Sequence, residues 1–508
     1  MGRKGNVARA VSSSYVVTAA NILYTAVSVP LALHFLSKAE FGLWAVATQI
    51  AGYAAIVDFG MSIAFARALV DHKDNKETGM FGATLATGGL VFVVQGVLIV
   101  LIGLLCSPVL PGLMAIPANL AGAFRILVIG QCGILAFSYM TRVLGAPLYA
   151  HQRQDVYNYI VAGMLLAGLG IQWVGFALGW GVFSMLFGNG ACAVLTACLA
   201  FAATCRMALW PKRGQWGRPN ARCFGELFAF GKDVFLLTLG GQLLNASQVV
   251  IVSRVMGLDA AAIWSVCNKA MMVGQQLVSR ISDFSEVALS EMYVRQEHKR
   301  LVDRFKDIVM ITASMSAFAA VGIAVCNGSF VAIWTSAKVS WSPVNDWLLG
   351  AMLLVFTTTR CHTHFVIVTK NVGRMKYIYF MEGVVFVGSA ALLVTRLGFA
   401  GLFIAAIVCD ICFSGSYGMY RTARFAQLKG WDVVRWLYPA FRFFVCVGCL
   451  AAVSGALTAR FSPQIRLMWN AGVLVSCGSL LFWGVGLTKE LRSEVRSILR
   501  ACLAKVIS

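Results

Sequence analysis

Lys269, Arg280 and Asp283 lie in one largely apolar stretch, WSVCNKAMMVGQQLVSRISDFSEVALSE, running from Trp264 to Glu291. Wound as a helix at about 100° per residue, this stretch puts Ser265, Lys269, Gln276, Arg280 and Asp283 within roughly 40° of one line, and leaves Val, Met, Leu and Ile on the other faces. Exposing a lysine or arginine to hydrocarbon is costly, so such a stripe turns toward protein or a watery cavity. In a low-dielectric cleft its cations attract an anion strongly. By helix rise Lys269 lies about 15 Å from one end of its span and Arg280 about 30 Å, which makes Lys269 the expected deep cation. Arg280 with Asp283 reads as an inner gate or an interfacial ion pair.

Other residues could share that chemistry. Arg360 sits in TTTRCHTH, one turn from His364 and close to mid-span by helix rise, and calls for a carboxylate partner; Glu382 and Asp410 are the candidates. Thr18, Asn21, Thr25 and Ser28 follow one face of the first apolar run, and Gln49 and Asp58 lie in the second. Gln242, Asn245 and Gln248 are uncharged hydrogen-bonders of a seventh run. Arg125 lies about two turns from a span end, where it could also snorkel to the interface. Asp58 and Asp283 are the candidates for ion coupling.

The elements that position these residues follow from composition. Hydrophobic residues make up 59% of 508 positions and charged ones 12%, and the mean hydropathy is +0.77. This excludes an ordinary soluble protein. With about twenty apolar residues per span, fourteen helices are expected near 14–36, 41–66, 80–106, 119–141, 156–178, 180–204, 230–253, 260–285, 308–332, 346–368, 377–395, 398–420, 439–459 and 467–487. The net charge of +21 gathers in alternate loops, with Arg67, Lys73, Lys76, Arg142 and Arg153 among the inner cations and few cations outside. That is the positive-inside pattern of an inner-membrane protein with both termini cytoplasmic, and not a nucleic-acid footprint. The fifteen cysteines lie mostly in apolar runs without metal-type spacing, so neither disulfides nor a metal is expected. The N-terminus lacks a cleavable signal, so the first span is read as retained.

An offset of 220 residues lays Thr18 on Thr238, Thr25 on Asn245, Ser28 on Gln248, Trp44 on Trp264 and Tyr157 on Tyr377 without a gap. Such self-similarity marks a duplication of six helices in the same orientation. The expected organisation is an N-terminal six-helix half over 1–207, a cytoplasmic linker over 208–229, a second half over 230–422, and an extra helix pair with an amphipathic tail over 423–508. Between the matched copies, Gln49 falls on Lys269 and Gly60 on Arg280, so the charge is asymmetric.

The segment LSKAEFGLWAVATQIAGYAAIVDFGMSIAFARAL, with Asp58, Gly60 and Arg67, resembles the first helical pair of the bacterial polysaccharide flippases, O-antigen type, of the multidrug/oligosaccharidyl-lipid/polysaccharide exporter superfamily. FSEVALSEMY and the two six-helix halves extend the resemblance over about four fifths of the chain. The final helix pair departs from the twelve-span O-antigen pattern and is similar to the lipid II flippase branch. The resemblance implies an all-α membrane protein of about 14 spans, two pseudo-symmetric lobes in a V shape, and alternating access for a polyprenyl-pyrophosphate-linked glycan, with Gln242, Asn245 and Gln248 facing sugars. No cofactor is implied, since no GxxxxGK[ST] loop occurs; coupling would come from an H+ or Na+ gradient. Expected partners are the lipid-linked glycan, the bilayer, and polymerase or glycosyltransferases of the same pathway.

A multidrug or metabolite antiporter of the same fold, or a lipid II flippase, is the alternative. An enzyme on lipid-linked sugars is disfavoured, because the longest outer loops, SPVLPGLMAIPAN and NGSFVAIWTSAKVSWSPVND, hold one acid between them, Asp346.

Overall fold

The computed structural model describes residues 3–73, 79–369, 373–488, 491–493 and 496. Most of the expected tail helix, with Lys489, Arg500 and Lys505, lies outside the described residues, as do Lys76 and Lys370 of the expected inner loops. Every regular element among the described residues is helical.

Two compact units divide the chain, Met1–Ala262 and Ile263–Ser508. The first contains α1 (Arg3–Phe35), α2 (Lys38–Tyr53), α3 (Met61–His72), α4 (Met80–Cys106), the short α5 (Leu110–Leu113), α6 (Ala118–Met140), α7 (Arg142–Ala150), α8 (Gln154–Ala177), α9 (Phe183–Arg206) and α10 (Ala221–Met256). Ser37 and Glu40 form a reciprocal capping box that starts α2. Between α2 and α3 runs a single 3-10 turn, Ala54–Asp58, closed by Phe59 (φ 47°) and Gly60 (φ 72°) in the left-handed region. Gly60 is needed twice over: its conformation disfavours a side chain, and a Cβ there would stand 2.8 Å from the Gly231 carbonyl oxygen on α10.

The basic loop before α10 is built structure. Trp210 stacks on Trp216 at 5.9 Å, Trp216 Nε1 donates to the Pro211 carbonyl at 3.1 Å, and the Asn220 N–H donates to Thr87 Oγ1 on α4 at 3.2 Å. The Asn220 side chain in turn accepts from the backbone of Arg222 and Cys223, capping α10. Tyr53 on α2 and Ser247 on α10 share a hydroxyl hydrogen bond of 2.5 Å. These contacts explain why α10 packs with the helices that precede it.

After α11 (Leu258–Cys267), the second unit contains α12 (Lys269–Val294), α13 (His298–Trp334), α14 (Pro343–Val368), α15 (Met375–Leu397), α16 (Phe399–Asp410), α17 (Ser416–Ala426), the short α18 (Gly430–Arg435), α19 (Tyr438–Leu457), α20 (Pro463–Val473) and α21 (Ser479–Leu481). Pi turns at Ile411–Gly415, Leu474–Gly478 and Phe482–Gly486 link the later helices. Such turns commonly mark bends and functional positions. The charged connection expected before span nine is continuous with it, since α13 begins at His298.

Trp264 is 1% exposed and packs among Trp341, Phe399 and Phe403. The final hairpin closes on α13, where Ala317 and Val321 meet Phe443, Val447 and Ala451. Small residues there let the helices approach closely.

Thirteen helices among the described residues are long and apolar enough to cross a membrane. They correspond to the expected spans except the one at 260–285. That segment is present as α11 and α12, with a turn at Asn268 between them, and α12 carries the charges Lys269, Arg280, Asp283, Glu286 and Glu291. The fold is therefore an all-helical, multi-pass membrane fold of about fourteen spans.

Candidate functional sites

In the second unit α12 and α14 face each other through polar rungs. Ser282 Oγ lies 3.1 Å from Cys361 Sγ, Arg360 Nη2 donates to Asp283 Oδ1 at 3.5 Å, and His364 Nδ1 lies 4.0 Å from Glu286 Oε2. The carboxylate that meets Arg360 is thus Asp283, and the pairs considered from sequence, Arg360 with Glu382 or Asp410, do not form. Glu382 accepts instead from the Ser414 backbone at 3.1 Å, and Asp410 accepts from Ser414 Oγ at 3.3 Å. Asp283, read from sequence beside Arg280, thus meets an arginine of another helix. Helix rise counted from the two span ends separates Arg360 from Asp283 in depth, yet the two side chains meet. Arg280 is half-buried, further along the same helix.

Lys269 is the first residue of α12 and half-buried. Among the described residues neither a hydrogen bond nor an ion pair reaches its ammonium. Beside it in sequence, Ser265 Oγ and Asn268 Oδ1 are buried without a partner. Behind the bend, Asn327 Nδ2 donates to the Cys267 carbonyl at 3.3 Å and to Asp346 Oδ1 at 2.6 Å, while Trp341 Nε1 donates to the same oxygen at 2.9 Å. The one acid of the two longest outer loops is thereby a buried strut. A half-buried cation and two orphaned oxygens thus lie together in sequence around the turn at Asn268, without a counter-charge among the described residues.

In the first unit the expected polar residues scatter. Asn21, Asn245 and Arg125 are exposed, Thr25, Gln49 and Gln242 are half-buried, and Gln248 is buried. The amides of Asn245 and Gln248 donate back to the Gly241 and Leu244 carbonyls of their own helix at 2.8 and 2.9 Å, which leaves their oxygens as acceptors.

Asp58 is the organised member of the set. Its carboxylate accepts from Ser62 Oγ, Arg142 donates to the same hydroxyl, and Arg142 Nη1 lies 3.7 Å from Asp58 Oδ1. Gln95 Nε2 holds the Asp58 backbone carbonyl at 3.1 Å, satisfying an acceptor that the 3-10 turn frees. The Arg142 guanidinium lies 4.3 Å above the Tyr139 ring, a cation–π arrangement. Sequence reasoning placed Arg142 with the topogenic cations; its signal was a lone arginine directly at the end of a span. Each unit thus joins an acid to an arginine of another helix, Asp58 to Arg142 in the first and Asp283 to Arg360 in the second. Among the described residues no group of three or more His, Cys, Asp or Glu could hold a metal.

The spans and the acid–arginine pairs set among them define a multi-pass helical membrane protein with polar groups held between its helices. The chain matches the family model described as polysaccharide biosynthesis protein over residues 7–284, more than half its length, and belongs to that family. Its fold is that of the exporter superfamily. It aligns with an inward-facing multidrug resistance MATE family transporter of the MOP superfamily at 14% identity and TM-score 0.64, covering 80% of this chain and 96% of the other. It aligns with the lipid II flippase MurJ, inward closed, at 12% identity and TM-score 0.65, covering 93% and 99%. A MOP superfamily transporter from Pyrococcus furiosus, described by the reverse polarity of its binding pocket, aligns at 12% identity and TM-score 0.53, covering 83% and 96%. A search of curated proteins found no match.

Proposed function

We propose that this protein is a flippase that translocates a polyprenyl-pyrophosphate-linked oligosaccharide across the cytoplasmic membrane by alternating access, coupled to a proton or sodium gradient. The observation that carries the reading is Lys269: a half-buried ammonium without a carboxylate, beside the orphaned Ser265 and Asn268 oxygens. Such a cation is stabilised by an anion brought from outside, and a pyrophosphate supplies it. The polysaccharide biosynthesis family supports a glycan as cargo. Binding and movement suffice for this role, and no catalytic step is invoked. The basic loops support an inner-membrane orientation with both termini cytoplasmic, where polymerase or glycosyltransferases of the same pathway would be neighbours.

An antiporter of organic cations would need free carboxylates. Asp58 and Asp283 are each beside an arginine, which weighs against these two acids as its cation site. A lipid II cargo carries the same pyrophosphate, so Lys269 does not separate it from other glycans. Deleting the gene and extracting lipids tests the reading: a pyrophosphate-linked glycan should accumulate in the cytoplasmic leaflet, and the sugar on it identifies the branch. Unchanged lipid-linked pools, with export of cationic dyes lost, would transfer the protein to the antiporter class.

A further inference from the structure

Arg142 stands where two cavities of the first unit meet. One, of about 310 Å³, has Ser138, Thr141, Cys192 and Thr196 among otherwise largely apolar walls; the other, of about 210 Å³, has Ser62, Tyr149 and Gln154 among Phe65, Leu69 and alanines. Arg142, Gly145 and Tyr157 belong to both. Gly145 makes room for the shared ring, since a Cβ there would stand 3.1 Å from Tyr157 Cε2.

An arginine serving only to neutralise Asp58 would be enclosed with it. Instead the Arg142 side chain is 39% exposed while that of Asp58 is 14% exposed, so the guanidinium binds the acid along one edge and opens onto the cavities. The fold does not require a cation here: the offset of 220 residues places Arg142 on His362, which is 1% exposed and lies 3.1 Å from Thr422 Oγ1. The donors around Arg142 are hydroxyls and an amide, with no second acid among the named lining residues.

We infer that Arg142 with the Tyr149, Tyr157, Gln154 and Thr196 side chains forms a phosphoryl-binding site within the first unit, and that Asp58 is its built-in competitor. A phosphoryl oxygen pairs with the guanidinium more strongly than a single carboxylate edge because it offers several acceptors to a forked donor. Binding draws Arg142 away from Asp58 and leaves that carboxylate held by Ser62 alone. This site deepens the proposed role, and as a diphosphate or lipid-phosphate site it rests on that reading of the cargo.

The test is equilibrium binding to the full chain in nanodiscs, with inorganic pyrophosphate as a soluble probe and undecaprenyl phosphate as a lipid probe. The wild type should bind at least one. Arg142→Gln should weaken binding at least tenfold, Arg142→Lys less, and Asp58→Asn should tighten it several-fold by removing the competitor. In the Arg142→Gln background, Asp58→Asn should change nothing. Binding of pyrophosphate alone assigns a free phosphoryl group, and binding of the lipid probe alone assigns a headgroup. Failure to bind either probe, binding indifferent to Arg142→Gln, or weakening by Asp58→Asn overturns the site. Lys269→Ala separates the two readings: normal glycan export in that variant sinks the Lys269 argument, while Arg142-dependent binding is measured independently.

Discussion

Arg360 Nη2 lies 3.5 Å from Asp283 Oδ1, with the two side chains 41% and 33% exposed. An ion pair that half-open contributes modestly as a pair, yet stranding either member between helices is costly. Arg360→Ala should therefore lower thermal stability more than Arg360→Ala with Asp283→Ala together. Melting of the detergent-solubilised variants checks this, and a double variant less stable than the single would show that the pair is not the reason.

Lys269 gives the opposite signature. Because no carboxylate compensates its burial, Lys269→Ala should leave stability unchanged or slightly raised, while glycan export falls at least tenfold. Abundance in the membrane and export from the same cells are the two measurements. A loss of both in proportion would make Lys269 a structural residue.

The acid–arginine pairs show where a sequence is readable and where it is not. Spans are carried by composition and period, so α4, α8 and α14 were visible, and so was the stripe on α12. The α12 stripe was visible because its charges recur at helical spacing. Which acid meets Arg360 depends on how α12 and α14 pack against each other, and no local pattern encodes it. The 3-10 turn at Ala54–Asp58 likewise has no proline; only Gly60 hinted at it. Arg142 looked topogenic because the same residue type serves both purposes at a span end.

That turn is testable through Gly60. A side chain at φ 72° is strained, and its Cβ would press on the Gly231 carbonyl at 2.8 Å and on Val234 at 3.1 Å. Gly60→Ala should cost about 1–3 kcal/mol. A melting temperature within error of wild type would mean that α10 yields at this contact.

Asp346 makes a sharper structural prediction. It is 3% exposed and one of its oxygens accepts from both Asn327 and Trp341. Asp346→Ala removes the acceptor from the Trp341 indole and leaves the Asn327 amide only the Cys267 carbonyl, at a total cost of about 1–3 kcal/mol. Asp346→Asn should lose less, since an amide oxygen still accepts. Melting curves of the two variants decide it: equal losses would assign the stabilisation to the charge and not to the hydrogen bonds.

Ion coupling, if it runs through Asp58 or Asp283, requires the arginine beside each acid to let go during the cycle. Both are engaged in this conformation, so a proton or sodium ion competes with a guanidinium for the same oxygens. Asp58→Asn mimics the protonated acid and frees Arg142 permanently. Its export should lose most of its dependence on the driving gradient, with a rate at least tenfold below wild type under full gradient. Proteoliposomes loaded with lipid-linked glycan, run with the proton gradient and then the sodium gradient collapsed, report this directly. Transport that ignores both gradients in the wild type would remove the coupling role from either acid and leave the substrate gradient as the drive.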